Sequence, residues 1–590
     1  MPGIVHAQAR DSVARRDSLV HRDSLAKRDT APRSDSLIKR DSTDKADTVP
    51  LVPLPTPKVP RDTIKAPLAH AEQPFVADPT GSYHLDHDQI FASGARSVGD
   101  LLERLPGITQ LRTGWFATPA TAAYLGDATA VRVFLDGVEY LSLDPHSGGA
   151  LDYTQIPLWP IEAITIERSA SEVRVYLNSW RVDRTTPYTR TDISTGDEQT
   201  NLYRGFFGRR FKHGESLQFG VQQYGTDPSR GGATSDQLSL MGRLGWARGK
   251  FSFDAFMMQV GSHRGLVIDP LSGDSLPDLE STRRDAYVRL GYGDPDGGPW
   301  LQVVAATARY SYAGQGATAT TTDSTAQGDT VVSYTQYLFT GGLTKWGVRV
   351  SGAARYFSSF DRADRLLSAP GDTLQSPAAG GPYKAPQITR THGLLVPSAR
   401  ASYDWRRLSL SAYGEGQSVD SVARQEVSAA LTPFSFLRFS AAMGSAHDLR
   451  ISDSLLSPTY RRLEAGLRIH DVWLGGGTIM RGASMLAAPT LVDDSLRGAR
   501  EQSATAQFVS VQGRVWRGIN ADAFALRWSD STGLYRPQYQ THSQLYISTS
   551  LLNRFPNNTF HIFFGLTHEY RSATYFPLGD AGIERLPGYR

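Results

Sequence analysis

Hydrophobic and polar residues alternate one by one through most of the chain beyond residue 200. Leu217, Phe219 and Val221 are separated by polar residues or glycine, and the alternation returns at residues 238–246, 251–255, 286–292, 346–351, 408–413, 437–441, 523–528 and 545–549. Successive side chains of a β-strand point to opposite faces. The pattern therefore predicts many strands, each with one apolar and one polar face.

Two kinds of connection join these segments. Short turns such as residues 247–250 contrast with long polar loops, among them residues 318–330, rich in Thr and Ala, and residues 368–386, rich in Pro and Gly. Short turns at one end and long loops at the other are typical of outer-membrane barrels. We predict a mainly β fold, with a large transmembrane antiparallel β-barrel of roughly 18 to 22 strands over residues 181–590.

A secreted β-propeller or β-sandwich would show the same alternation. The membrane barrel is favoured because the region has no clear repeated blade motif. It is also favoured because charged residues fall on the face opposite the apolar one, where a water-filled interior accepts them. These residues are Arg243, Arg289, Arg349, Arg438 and Arg527.

Residues 81–180 have a different pattern. Ser97 is a candidate N-cap ahead of apolar residues at helical spacing, and Pro106-Gly107 ends that segment; the apolar residues are Val98, Leu101, Leu102 and Leu105. Residues 131–135, 164–168 and 172–176 predict strands, and Asp136-Gly137 predicts a tight turn. We expect a small α+β module.

Residues 1–80 are expected to be a disordered tether. An Asp-Ser/Thr step follows a basic residue about every six residues between 10 and 48, and residues 49–60 are rich in proline. So few apolar residues cannot offset the entropy of ordering, while the proline-rich part forms a semi-rigid spacer. Ala7-Gln8-Ala9 ends like a signal-peptidase site, which indicates either the remnant of an export signal or a chance match.

Charge and composition exclude several classes of function. The chain has 62 basic and 59 acidic residues, too even a balance for a nucleic-acid-binding surface. It has no cysteine, which excludes disulfides, thiol nucleophiles and thiolate metal sites. We find no motif for a cofactor or a metal, and none for a hydrolase or a phosphate-binding loop, so we predict that the protein is not an enzyme.

Three segments carry a family resemblance. Residues 101–108 (LLERLPGI), 131–138 (VRVFLDGV) and 156–168 (IPLWPIEAITIER), in this order and spacing, resemble the plug domain of TonB-dependent outer-membrane receptors. The resemblance covers about residues 83–179 by motif, and the remainder only by its barrel pattern. It implies a plug folded inside the barrel, a location in the bacterial outer membrane, and contact with outer-membrane lipid.

The resemblance also implies partners and sites. An extracellular solute of small to medium size would bind above the plug, and the energy-coupling protein TonB would pull from below. Family members carry a short extended coupling segment ahead of the plug, for which Asp62, Thr63 and Ile64 are the candidate; ordinary linker is the alternative. The repeats at residues 10–48 share its Asp-Ser/Thr-aliphatic core and are either degenerate docking copies or a low-complexity expansion.

Two plug segments are candidates for ligand recognition. They carry aromatic side chains, a guanidinium and a carboxylate that suit sugars, peptides or chelates: Arg112, Trp115, Phe116, Tyr124 and Asp127. Packing against the barrel wall is the alternative for all of them.

The function predicted is binding and energy-coupled import of an extracellular solute by plug rearrangement. Alternatives are a plug-bearing outer-membrane binding or structural protein without transport, and a passive porin. The chain ends at Leu586-Pro-Gly-Tyr-Arg590 rather than on an aromatic-terminated strand, so we expect that one or two closing strands lie beyond it.

Overall fold

The computed structural model describes residues 83–586 except 94, 113–118, 145–146, 148, 183–184, 197–198, 228–233, 266, 269–274, 277, 295–296, 315–329, 364–387, 417–421, 449–458, 490, 493–495, 517, 550–561 and 579–581. The predicted tether lies outside these residues, with its candidate coupling residues Asp62, Thr63 and Ile64. Trp115 and Phe116 lie outside them as well.

The first part of the described chain is a small α+β unit, as predicted. Strands β1, β6, β7, β4 and β5 form one sheet in that order, in which β4 and β7 are parallel. Strands β2 and β3 pair separately as a hairpin. The elements are β1 (His84–Asp86), α1 (His87–Ala92), α2 (Val98–Leu102), β2 (Ile108–Arg112), β3 (Ala120–Tyr124), β4 (Val131–Leu135), β5 (Val138–Tyr140), a 3₁₀ turn (Tyr153–Gln155), β6 (Ile161–Arg168) and β7 (Val173–Ser179).

Local sequence signals explain two features of this unit. Ser97 caps α2 by accepting from the backbone N–H of Asp100, whose carboxylate accepts from the backbone N–H of Ser97 in return. Asp136 and Gly137 have φ of +49° and +84° and join β4 to β5. Positive φ at both central residues is what a tight hairpin turn with the twist of its strands requires.

The rest of the described chain forms a closed barrel of nineteen strands, within the predicted range. Its strands are β8 (Tyr188–Thr195), β9 (Asn201–Arg210), β10 (Glu215–Thr226), β11 (Ser235–Arg248), β12 (Phe251–Arg264), β15 (Leu279–Gly293), β16 (Pro299–Gly314), β17 (Thr330–Lys345), β18 (Val348–Ala363), β19 (Ile388–Trp405), β20 (Leu408–Glu415), β21 (Val422–Phe434), β22 (Leu437–Asp448), β23 (Thr459–Ile469), β24 (Val472–Arg481), β27 (Ala504–Trp516), β28 (Ile519–Trp528), β29 (Tyr539–Thr549) and β30 (Ile562–Arg571). Each strand from β8 to β30 pairs antiparallel with the next barrel strand along the chain.

Three small hairpins lie in the connections or after the last barrel strand: β13 (Val267–Ile268) with β14 (Ser275–Leu276), β25 (Ser484–Leu486) with β26 (Ala499–Glu501), and β31 (Thr574–Leu578) with β32 (Gly582–Leu586). The first two occupy long loops at one end of the barrel, whereas very short turns such as residues 249–250, 346–347 and 470–471 lie at the other. By the usual layout of outer-membrane barrels the long loops are extracellular. Among the helices that the structure describes, none is long and apolar enough to cross a membrane.

The barrel strands alternate as the sequence predicts, with one revision. Arg243 and Arg289 are buried and point inward. In β28, however, Phe524, Leu526 and Trp528 are the buried, inward residues, so Arg527 lies on the outer face, where its guanidinium is 5.6 Å from the Tyr539 ring. The prediction of a lumenal Arg527 is therefore wrong. The α+β unit fills the lumen, and its apolar core is continuous with inward residues of the barrel such as Phe256 and Phe508.

Candidate functional site

The inner unit meets the barrel through charged side chains that are buried. Arg132 on β4 forms an ion pair with its neighbour Glu139 at 2.7 Å. Its guanidinium also donates to both carboxylate oxygens of Glu415 on β20, at 3.2 and 3.1 Å. The contact joins residues 283 positions apart in the sequence. It fixes strand β4 of the unit to the barrel wall.

Glu172 is the centre of a second group of contacts on the same wall. Its carboxylate pairs with Arg424 of β21 at 2.7 Å and with Arg174 of β7 at 2.5 Å. Arg424 in turn pairs with Glu415 at 2.9 Å, so the two groups form one network. The Arg174 guanidinium also stacks over the Tyr413 ring, 3.9 Å from its centroid.

Further ion pairs extend this network to neighbouring strands. Glu167 pairs with Arg400 of β19 at 2.8 Å, and Glu139 pairs with Arg355 of β18 at 2.8 Å. Arg168 donates to Glu464 of β23. We call this set the lock network; it comprises Arg132, Glu139, Glu167, Arg168, Glu172 and Arg174 of the inner unit and Arg355, Arg400, Glu415, Arg424 and Glu464 of the barrel.

The charges of the lock network stabilise one another. Burial alone would raise the pKa of Glu172, but the nearby guanidiniums of Arg424, Arg174 and Arg132 lower it to about 2. The pKa of Glu167 is also lowered, because Arg400 and Arg174 outweigh the effect of burial. Buried charges are tolerated when they are paired in this way.

A second anchor lies on the wall formed by β11, β12 and β15. The Asp136 carboxylate accepts from Arg243 at 2.9 Å, from the Tyr287 hydroxyl at 2.7 Å and from the backbone N–H of Ser179 at 3.0 Å. Arg289 donates to the backbone carbonyl of Asp136. Burial would raise the pKa of Asp136, yet Arg243 and the other guanidiniums hold it well below its usual range.

Of the predicted ligand residues, the structure describes Arg112, Tyr124 and Asp127, and it does not bring these three together at one site. Arg112 is exposed at the far end of the β2–β3 hairpin, where it pairs in register with Ala120, whereas Tyr124 pairs with Ile108 at the other end. Tyr124 is fully buried and its hydroxyl donates to the Ser169 carbonyl at 3.0 Å. Burial raises the pKa of Tyr124 to about 12, although Arg168 opposes the effect. Tyr124 thus packs in the core that the inner unit shares with inward residues of the barrel.

Asp127 has a local structural contact. Its carboxylate accepts from the backbone N–H and the hydroxyl of Thr129, at 2.9 and 2.7 Å, within the turn that follows β3. Of the predicted ligand residues that the structure describes, only Arg112 presents an exposed side chain.

Comparisons with known proteins identify the inner unit. The model of the TonB-dependent receptor plug domain matches residues 77–176. The FrpB iron transporter of Neisseria meningitidis (F3-3 variant) has a similar structure, with a TM-score of 0.62 over 87% of this chain and 91% of that one, at 11% identity. The inner unit is a TonB-dependent receptor plug domain, and the whole chain has the fold of the TonB-dependent receptors.

Other receptors of this fold are equally distant in sequence. A variant of the ferric enterobactin receptor PfeA of Pseudomonas aeruginosa has a TM-score of 0.60, with 10% identity, 86% of this chain covered and 88% of that one. The siderophore receptor PirA of Acinetobacter baumannii has a TM-score of 0.58, with 10% identity, 86% of this chain and 90% of that one. The comparison with curated proteins found no match.

Segments at the long-loop end of the barrel cover part of the plug. Leu486, Leu534, Tyr535 and Phe576, from three of these segments, pack against buried plug residues such as Leu111 in one apolar cluster. The turn after β3 is held there as well, because Arg481 donates to the Leu125 carbonyl. The sequence does not predict that these loops pack on the plug, because they carry no alternating pattern of apolar and polar residues.

Proposed function

We propose that this receptor imports an extracellular iron chelate by energy-coupled rearrangement of its plug. The observation that carries the proposal is the lock network together with the Asp136 anchor, which tie the plug to separate walls of the barrel through buried charges. A solute can cross only if some of these contacts are broken. Breaking a buried ion pair leaves its charges without partners, which costs several kcal/mol, so we infer that an external energy source is used.

Iron chelates are proposed as the solute class because the structural relatives are an iron transporter and receptors for ferric enterobactin and siderophores. Energy would enter through Asp62, Thr63 and Ile64, whose extended stretch would add a strand to TonB by edge pairing. Ligand binding would favour the plug conformation in which this segment is accessible, by its differential affinity for the two states.

The test uses cells that lack their own enterobactin receptors and express the full chain. Deletion of residues 61–67 should abolish uptake of radioiron-labelled ferric enterobactin and leave its binding at the cell surface unchanged. A matched deletion of residues 16–22 shortens the tether equally and should leave uptake intact.

Three outcomes would contradict parts of the proposal. Uptake that survives loss of residues 61–67 would remove the coupling role of this segment. Binding without uptake in the unaltered protein would favour a receptor that does not transport. Absence of both, in correctly folded protein, would exclude this chelate as the ligand.

A further inference from the structure

Two arginines face each other on the lipid side of the barrel. Arg284 of β15 and Arg309 of β16 are directly opposite in register, and both are exposed. They point outward, because the neighbours Arg283 and Asp285 are buried and point to the lumen. Like charges placed directly opposite on adjacent strands destabilise a sheet. An anion bound between the two guanidiniums would relieve this repulsion.

The protein does not supply that anion among the residues that the structure describes. Arg284 Nε donates to the Gln259 amide oxygen at 3.0 Å, which leaves its charge uncompensated. The carboxylates on the same face, Asp236 and Glu280, lie four register positions nearer the extracellular loops. Two adjacent guanidiniums with free donors suit a phosphate group, which they can bind with several charge-assisted hydrogen bonds.

The position of the arginine pair indicates where the phosphate would come from. On the side towards the short turns, the next three outward residues of β15 are Ala286, Val288 and Leu290, all apolar. On the other side the strands continue to the long extracellular loops. The pair thus lies where the apolar band of the barrel ends, which is the headgroup level of the outer leaflet.

A hollow of about 600 Å³ opens in the outer wall directly below the pair. Ala286 and Thr307, which are opposite each other, are the next outward residues after Arg284 and Arg309, and both line it. Outward residues of β11, β12 and β17 continue the floor: Gly242, Ala255 and Thr335. Larger side chains such as Leu217, Leu244 and Tyr337 also line it, so the hollow offers an apolar recess at the depth of the acyl chains.

We propose that this face binds a phosphate-bearing glycolipid of the outer leaflet, with the phosphate on Arg284 and Arg309 and an acyl chain in the hollow. The inference is independent of the transported ligand. Charge complementarity favours a lipid over a second copy of the barrel, because a copy docked through the same face would bring two further unpaired arginines to the contact.

The test measures binding of lipid A carrying two phosphates to the purified full chain in a neutral detergent, by native mass spectrometry. The Arg284→Gln/Arg309→Gln double variant should bind roughly thirtyfold more weakly, as loss of two surface charges implies. The matched control is Arg461→Gln, because Arg461 is an exposed, outward residue of β23 whose register neighbours are Met443 and Met480. This control should bind as the unaltered protein does.

Further measurements separate the phosphate from the acyl chain. Dephosphorylated lipid A should bind the unaltered protein as weakly as lipid A binds the double variant. Arg284→Lys/Arg309→Lys, which keeps the charge, should retain most of the affinity, and Ala286→Trp should reduce it by filling the hollow. Heat-modifiable migration on a denaturing gel establishes that each variant is folded.

Four results would overturn the proposal. These are equal affinity in the folded double variant, equal loss in Arg461→Gln, phosphatidylglycerol binding as tightly as lipid A, or a lipid-free dimer that the double variant abolishes. The third would indicate a general anionic surface, and the last an interface between copies of the chain.

Discussion

At the scale of single residues, the plug and the barrel are joined by charges that water does not reach. Glu172 contacts Arg424 from the barrel as well as Arg132 and Arg174 from its own domain. Each carboxylate in this set lowers the cost of burying the guanidiniums, and the reverse also holds. The contact is therefore sensitive to the loss of any one charge, more than to the loss of apolar area.

Neutralising Glu172 should strongly lower the free energy of plug unfolding. Glu172→Gln leaves three guanidiniums with one carboxylate fewer, and removal of one partner from a buried pair costs about 3–5 kcal/mol. We expect the urea midpoint of plug unfolding, followed by hydrogen exchange, to fall by roughly 1–2 M. The control is Asp471→Asn. Asp471 lies on a short turn and forms an exposed ion pair with Arg514, so its loss should leave the midpoint unchanged. Equal midpoints for all three proteins would contradict the role given to the lock network.

The Glu172 carboxylate should also make the stability of the plug depend on pH. The pKa of Glu172 is about 2 in the folded protein, against 4.5 for a free glutamate. A lowered pKa contributes stability that is fully present above about pH 4.5 and is lost as the pH falls towards 2. The plug of the unaltered protein should therefore lose stability over that interval, and Glu172→Gln should show a shallower slope. A slope that is unchanged by the substitution would mean that Glu172 is not ionised in the folded plug.

At the scale of elements, the β4–β5 turn depends on two residues with positive φ. Gly137 has φ of +84°, a conformation that costs a residue with a Cβ about 1–2 kcal/mol. Gly137→Ala should lower the free energy of plug unfolding by that amount and accelerate amide exchange at residues 131–140. Gly414→Ala is the matched control, because an added Cβ there meets nothing within 4 Å. Equal effects of both substitutions would show that the turn geometry carries no special cost.

Helices and strands could be predicted from the sequence wherever the apolar residues recur at one regular spacing. The helix after Ser97, the Asp136-Gly137 turn and the strands of the barrel agree with the sequence predictions. Alternation does not reveal which face points inward, because a shift by one residue exchanges the two faces. In β28 the large apolar side chains face the plug-filled lumen and the alanines face lipid, so Arg527 was assigned to the wrong side.

At the scale of the whole molecule, the functional contacts were not predictable. Arg132 and Glu415 are 283 residues apart, and no local pattern marks either as the partner of the other. Tyr124 has a sequence context that suits a surface loop, yet it lies in the core, where its hydroxyl donates to a backbone carbonyl. Such pairings depend on how the plug is seated in the barrel, which the sequence encodes only through the complete fold.

The position of the plug in the lumen leads to a prediction about ion conductance through the barrel. Since the plug fills the lumen and its anchors are intact at neutral pH, the full chain in planar bilayers should show no steady conductance. Urea that releases the plug without unfolding the barrel should open a large conductance, which should close when urea is removed. Glu172→Gln should open at urea concentrations lower by roughly 1–2 M, and Asp471→Asn should open as the unaltered protein does. Steady conductance of the unaltered protein without urea would instead favour a passive porin, because it would mean that the lumen is open while the lock network is in place.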